Sequence, residues 1–413
     1  MFADTIKLLV LKIIKCRSCK NKSLNKLYSL GKHYLTGIFL PKKNSIISKG
    51  DLNLVICKKC SLVQLDQNFN VNEMYGDNYG YMSSLNKSMI SHLQLKAINL
   101  KKKYKLKNNS NILDIGSNDG TFLSFFSRKF KLFGCDPTIK KFYKSYRKDI
   151  IKIVNFFSAK LFSKKKFDLI TSISMFYDLP DPLQFSREIY SILKTNGVWH
   201  IELSYMPMMI KNRSYDTICH EHLEYYSLKS LMYLLHKAKL KIINLSFNQI
   251  NGGSIELDIV KKDSKLKECK ELISWVLKSE KINGYNNIKK HLAFFEECKK
   301  HRKLLRGLLL ALKKQKKKVI GYGASTKGNV LLQFCHIKSD LLSNIAEVNK
   351  FKFNKYTPGS KIKIISEKNA RQKKPDYMLV LPWHFKDHII KRENKFLKEG
   401  GKLIFPLPDI EII

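Results

Sequence analysis

Two stretches of this 413-residue chain alternate short apolar runs with segments of helical periodicity. In the first, apolar runs predict strands over residues 111–115, 132–135, 167–173 and 198–203, interleaved with helices over 120–128 and 181–193. Two more strands, 241–247 and 254–260, flank the turn Gly252-Gly253. In the second stretch a strand over 318–321 runs into a turn over 321–328, followed by a helix from about Asn329 and strands over 377–381 and 402–405. Alternation of this kind marks an open α/β sheet. Between the two lies a charged segment, 287–316, whose Leu292, Phe295, Leu304, Leu308 and Leu312 predict a packing or spacer helix. The opening 80 residues differ: strands at 52–56 and 61–65 sit among turns, with little apolar interior. The pattern predicts three domains, 1–80, 81–262 and 263–413.

Composition narrows the picture. Hydrophobic residues make up 44% and aromatics 11%, which excludes a disordered chain. Lys and Arg number 77 against 34 Asp and Glu, a formal net charge of +43. Clustered charge of that size would point to nucleic acid. Here lysine is spread along the whole chain, without a recognition helix or an aromatic RNA-binding set, so no nucleic-acid partner is expected. The remaining consequence is a field that favours anionic small molecules. The run Leu8-Leu9-Val10-Leu11 is cut by Lys7 and Lys12 and is too short to cross a bilayer. Neither a signal peptide nor stable membrane insertion is expected.

Cys16 and Cys19 form one Cys-x-x-Cys pair and Cys57 and Cys60 another, with 37 residues between the pairs. Each pair offers two sulfurs from one tight turn, and four thiolates close a tetrahedral shell around zinc. Two disulfides or free buried thiols are the alternatives. The other cysteines, Cys135, Cys219, Cys269, Cys298 and Cys335, are scattered, which suits a reducing cytoplasm.

Residues 112–120, Ile-Leu-Asp-Ile-Gly-Ser-Asn-Asp-Gly, carry a buried strand into a glycine-rich turn and a helix start that presents N–H groups. Asp136 closes the second strand, placed to accept both hydroxyls of a ribose. That pairing serves NAD and S-adenosylmethionine (SAM) alike. Asp114 stands two residues before the first glycine and no Gly-x-Gly-x-x-Gly is present, which argues for SAM. The turn resembles motif I of class I methyltransferases, with Asn118 where many have a glycine. Asp114, Gly116, Ser117, Asn118, Gly120 and Asp136 are therefore cofactor candidates, and Asn155 and Phe156 are placed to flank an adenine. Tyr75, Tyr79 and Tyr81 suit either packing or stacking on a sugar or base. The second turn, Gly321-Tyr322-Gly323-Ala324, invites NAD, but no clear acidic partner closes a following strand.

The densest acid–base cluster is Asp216-Thr217-Ile218-Cys219-His220-Glu221-His222. Histidines two apart lack the i, i+4 spacing of a helical metal site, whereas an imidazole beside a carboxylate suits a general base. The two cysteine pairs, residues 113–120, 216–226, 252–254 and 321–328, Tyr356-Thr357-Pro358-Gly359 and Leu381-Pro382-Trp383 occur in the order found in the sugar C-methyltransferase family. The resemblance spans nearly the whole chain, from about Cys16 to Pro408. It implies a class I, Rossmann-like methyltransferase core between a small zinc-binding domain and a C-terminal Rossmann-like domain. It also implies a SAM-dependent enzyme that methylates carbon beside the keto group of a nucleotide-activated deoxysugar, through an enolate. Carried onto this sequence, His222 looks like the base, with Glu221 and His220 beside it; Ser325, Lys327 and Asn329 look placed to hold substrate phosphate, and Tyr79 and Tyr81 the sugar or base. The donor that would stabilise the enolate oxygen is unassigned.

Two departures mark substrate contacts: Cys219 replaces a tyrosine and Asp178 replaces a histidine common in those enzymes. A sugar O-methyltransferase, a SAM- and zinc-binding scaffold without turnover, and a salt-sensitive nucleic-acid binder are the competing readings. The expectation is a cytoplasmic, monomeric enzyme.

Overall fold

The computed structural model describes residues 11–74, 80–163 and 165–413. The strands Leu24–Tyr34 and Lys49–Cys57 pair antiparallel, burying alternate side chains such as Leu52 and Leu54, and Val63–Leu65 joins their edge. The fourth strand of this sheet arrives from far along the chain. Glu224–Tyr225 pairs with Val63–Leu65, Glu224 opposite Gln64 and Tyr225 opposite Val63.

The central sheet has seven strands in the order Leu240–Asn248, Ser254–Lys261, Leu193–Ser204, Phe167–Ile173, Asn111–Ile115, Lys131–Cys135 and Ile151–Ile153. Only Ser254–Lys261 runs antiparallel to its neighbours. Strand order reverses at Asn111–Ile115, which opens a crevice at that strand's carboxyl end. A six-stranded sheet follows: Lys363–Ser366, Asn344–Glu347, Val319–Tyr322, Tyr377–Val380, Lys402–Phe405 and Glu411–Ile412, the first five parallel. It reverses at Val319–Tyr322, so the chain carries two doubly wound sheets.

The helix Ile288–Lys314 is a packing element: Phe294, Leu305, Leu309 and Leu312 enter one apolar core shared with Leu52, Leu54 and the six-stranded sheet. The four N-terminal cysteines share another core with Trp199 and Ile201 of the central sheet. Among the described residues no helix is long and apolar enough to cross a membrane.

The structure departs from the sequence-based elements in three places. The helix expected over 120–128 is one turn, Thr121–Ser124, after which Phe122, Phe126 and Phe130 continue as an edge-to-face ladder. A 17-residue helix, Lys87–Lys103, was hidden among lysines; its buried face includes Lys96, paired with Glu202 and Glu256 at 2.8 Å each. Finally, an acidic residue does close the second strand of the C-terminal sheet. Glu347 is that residue, and its oxygens accept from Ala324 N at 2.9 Å and from Val348 N and Asn349 N at 2.8 and 2.9 Å. Its carboxylate holds the glycine turn together.

Candidate active site

The four thiols of the N-terminal unit converge. Cys16 and Cys60 sulfurs lie 3.5 Å apart and those of Cys19 and Cys57 3.4 Å apart, with all four within 4.8 Å of one another. Zinc bonded to four sulfurs at about 2.3 Å separates them by about 3.8 Å, so the set fits a tetrahedral zinc and no disulfide joins any of them. Gln64 Nε2 donates to Cys16 Sγ at 3.3 Å and Lys59 N to Cys57 Sγ at 3.4 Å, as thiolates require. Hydrogen bonds from Cys16 and Cys60 pull the Cys57 thiol strongly toward its ionised form.

The crevice after Asn111–Ile115 is shaped by its turn. Gly116 has φ +75°, and a Cβ there would stand 2.8 Å from Met175 Cγ, so only glycine leaves this path open. Asn118, at φ +49°, donates its backbone N–H to Asp136 Oδ2 at 2.9 Å. Asp136 Oδ1 accepts from Thr138 N and Oγ1 at 2.7 and 2.6 Å. A carboxylate has about four acceptor sites and three are taken, so Asp136 retains one, on Oδ2, for a single ribose hydroxyl rather than both. Ser117 Oγ is bound to Tyr146 Oη at 2.7 Å, and the Tyr146 ring fills the space beside Gly120. Asp114 lies beneath the turn on Thr171 Oγ1 at 2.6 Å, and burial raises its carboxyl to about 7. Asn155 follows the strand that flanks Asp136, and Phe156 is 47% exposed there. These features fit SAM.

A strap crosses the turn. Asn118 Nδ2 donates to Tyr81 O at 3.2 Å, Ser83 N donates to Asn118 Oδ1 at 3.1 Å and Ser84 N to Asp119 Oδ2 at 2.9 Å. From the other side Asn349 Nδ2 donates to Gly80 O at 3.0 Å. Tyr79 lies outside the described residues.

His222 sits where Glu224–Tyr225 hooks into the N-terminal sheet. Its Nδ1 lies 2.7 Å from Thr217 O, a pure acceptor, so Nδ1 carries the proton and Nε2 the free lone pair. Tyr177 packs edge-on at 4.5 Å between centroids. Both residues line a cavity of about 10 Å³, room for a single water, with Ser204, Tyr205, Met206, Thr217 and Glu224. Burial, then the Lys327 charge, lower His222 to about 3, so it is a neutral base at pH 7.

Its sequence neighbours face elsewhere. His220 is fully buried, edge-on to Phe69 at 4.5 Å and 3.3 Å from Gly50 O. Glu221 points to Thr36 Oγ1 at 3.3 Å, in the angle where Gly37 and Thr326 meet, and burial raises its carboxyl. Cys219 is fully buried in the apolar core. Asp178 is half-buried near Cys219 and Glu224, whose protonated forms it favours.

On the C-terminal side, Ser325 caps the helix Thr326–Phe334 by accepting from Gly328 N at 3.0 Å. Asn329 is fully buried and clamps the N-terminal unit through Thr36 O at 2.7 Å. Lys327 turns the other way and donates to Asn251 O at 2.5 Å. The Lys327 charge thus acts on His222, while His220, Cys219 and Asn329 serve contacts between units. Sequence reasoning gave no role to Met175, Tyr177 or Asn251, and named Thr217 and Trp383 only as motif positions, because only the fold brings their segments together.

Three family models match the chain: a zinc binding domain at residues 16–75, a methyltransferase domain at 89–245 and a C-methyltransferase C-terminal domain at 249–408. The chain is 26% identical over 409 residues to the C-methyltransferase NovU of Streptomyces niveus, covering 97% of each protein. A SAM-dependent methyltransferase from Clostridium acetobutylicum ATCC 824 superposes at a TM-score of 0.35 and 14% identity, over 42% of this chain and 92% of that one. The plantazolicin methyltransferase BpumL, in complex with SAH, superposes at 0.33 and 15% identity, over 42% and 83%. Likenesses that weak carry no argument. The three consecutive matches and the full-length relative do: this chain is a class I, SAM-dependent methyltransferase of the C-methyltransferase type, built with an N-terminal zinc-binding domain.

Proposed function

We propose that the enzyme methylates the carbon alpha to the keto group of a nucleotide-activated deoxysugar, with His222 removing the proton. Residues 81–262 form the unit that binds SAM, 263–413 the unit that holds the sugar nucleotide, and 1–80 the zinc unit. The observation that carries the reading is the fixed His222 tautomer: Thr217 O holds Nδ1–H at 2.7 Å and leaves the Nε2 lone pair free to accept a proton. Bound SAM supplies an electrophilic methyl group on a sulfonium sulfur. Gly116, Asp136 and Phe156 are assigned to its amino-acid end, ribose and adenine. Met175 covers Gly116, and two residues on, Tyr177 packs on His222, so one short loop separates the donor crevice from the base. Burial keeps the base unprotonated at neutral pH. His220, Cys219 and Asn329 are read as packing residues and Glu221 as a support of the His222 segment.

The test is alpha-proton exchange in deuterated water, without SAM, across a panel of nucleoside diphosphate 4-keto-6-deoxyhexoses. Wild type exchanges the alpha proton of at least one sugar, and His222→Asn slows that exchange about 100-fold or more. Exchange that is equally fast in the variant removes His222 from the role.

A further inference from the structure

We propose that Lys327 is the cation that stabilises the enolate oxygen formed when His222 takes the alpha proton. The inference rests on the proposed enolate chemistry and fills its missing part, a charge opposite the developing oxyanion.

Lys327 begins the helix Thr326–Phe334, yet its side chain leaves that helix and reaches the central unit. Among the described residues its one hydrogen bond is to Asn251 O, at 2.5 Å, and no carboxylate forms an ion pair with it. An ammonium has three N–H donors, so two remain for a ligand. Retaining a half-buried cation whose hydrogen bond is to a neutral carbonyl costs stability, which the Asp216 charge offsets in part and a ligand would offset further.

Its placement is set from both sides. Asn251, at φ +57°, donates through Nδ2 to Ser174 Oγ at 3.1 Å. Ser174 opens the same loop whose Met175 covers Gly116 and whose Tyr177 packs on His222. Next to Asn251, the Trp383 ring fills the space beside Gly252, and Trp383 Nε1 donates to Asp216 Oδ2 at 2.8 Å. Base and donor crevice therefore border one loop, and the cation is tied to it through Asn251. Electrostatics agree: after burial, the charge of Lys327 is the next cause that holds His222 and His384 below their ordinary values. Burial also lowers Lys327 itself, offset by the nearby Asp216, which helps keep it charged.

The step balances as follows. His222 Nε2 accepts the alpha proton, the C–H pair becomes the C=C bond, and the carbonyl π pair moves onto oxygen. That oxygen accepts an N–H from Lys327. When the carbon takes the methyl group, the carbonyl re-forms and the sulfonium leaves as a neutral thioether; the proton on His222 passes to water.

The alternative for Lys327 is a phosphate contact, and kinetics separate the two. With the zinc-loaded full-length enzyme, exchange at saturating sugar nucleotide and its dissociation constant are measured for wild type and Lys327→Met. An enolate role predicts a loss of about 10²–10³-fold in saturated exchange, with the dissociation constant changed less than about threefold. Near-wild-type exchange at saturation, with weaker binding, overturns the assignment in favour of phosphate. Should Lys327→Met not fold, Lys327→Gln decides by the same two readouts. Absence of exchange in wild type across the whole panel instead contradicts the enolate reading itself.

Discussion

At the scale of single residues, burial sorts histidines that look alike in sequence. His220 and His222 are both lowered to about 3 by burial, yet one hydrogen-bonds Gly50 O inside a core and the other lines a cavity. For His220 the consequence is stability. Its folded value lies below the ordinary 6.5, so below that pH the unfolded chain takes up the proton first. The contribution is complete above about pH 6.5 and fades as pH falls toward 3. His220→Gln should remove about 2 kcal/mol of the stability lost between pH 7 and pH 5 in urea titrations. An unchanged slope would mean that His220 is protonated in the folded state. For His222 the consequence is kinetic: exchange catalysis should show no inflection near 6.5, its acid limb falling well below. A limb at the ordinary histidine value would place the ring in water.

Among elements, the strap and the short strand Glu224–Tyr225 matter most. Asn118 grips the strap at Tyr81 O and Ser83 N while its own N–H binds Asp136. Asn118→Gly keeps the left-handed turn and loses both side-chain bonds, each worth about 1 kcal/mol. Calorimetric titration should then show SAM binding weakened about tenfold or more; unchanged affinity would detach the strap from the cofactor. The cysteine pairs, the glycine turn with Asp136 and the His-Glu-His segment were legible in sequence because each is local in the chain. Glu224–Tyr225 was not, since its partner strand Val63–Leu65 is some 160 residues away and two residues carry no periodicity. The helix Lys87–Lys103 was obscured because Lys96 occupies its buried face, where only Glu202 and Glu256 explain it. Those acids with His92 have the spacing of a metal site, but the Lys96 ammonium fills the cation position.

For the whole molecule, the four-cysteine unit and the His222 segment are mechanically linked. Gln64 donates to Cys16 Sγ and sits opposite Glu224, while Arg17 donates to Leu65 O and Gln67 O and pairs with Glu224 at 3.7 Å. The metal module therefore clamps the strand that begins two residues after His222. Cys57→Ser should lower bound zinc, by elemental analysis, from about one ion per chain to a small fraction. It should also abolish methyl transfer while the central sheet still binds SAM. A zinc-free enzyme with full activity would separate module from site.

Carbon methylation by a base-generated enolate is decided by where the methyl group ends. Enzyme, a sugar nucleotide that it turns over and SAM labelled with carbon-13 in the methyl group are combined, and the product is read by heteronuclear NMR. An enolate route puts the label on the ring carbon adjacent to the keto group. Label bonded to oxygen would contradict it.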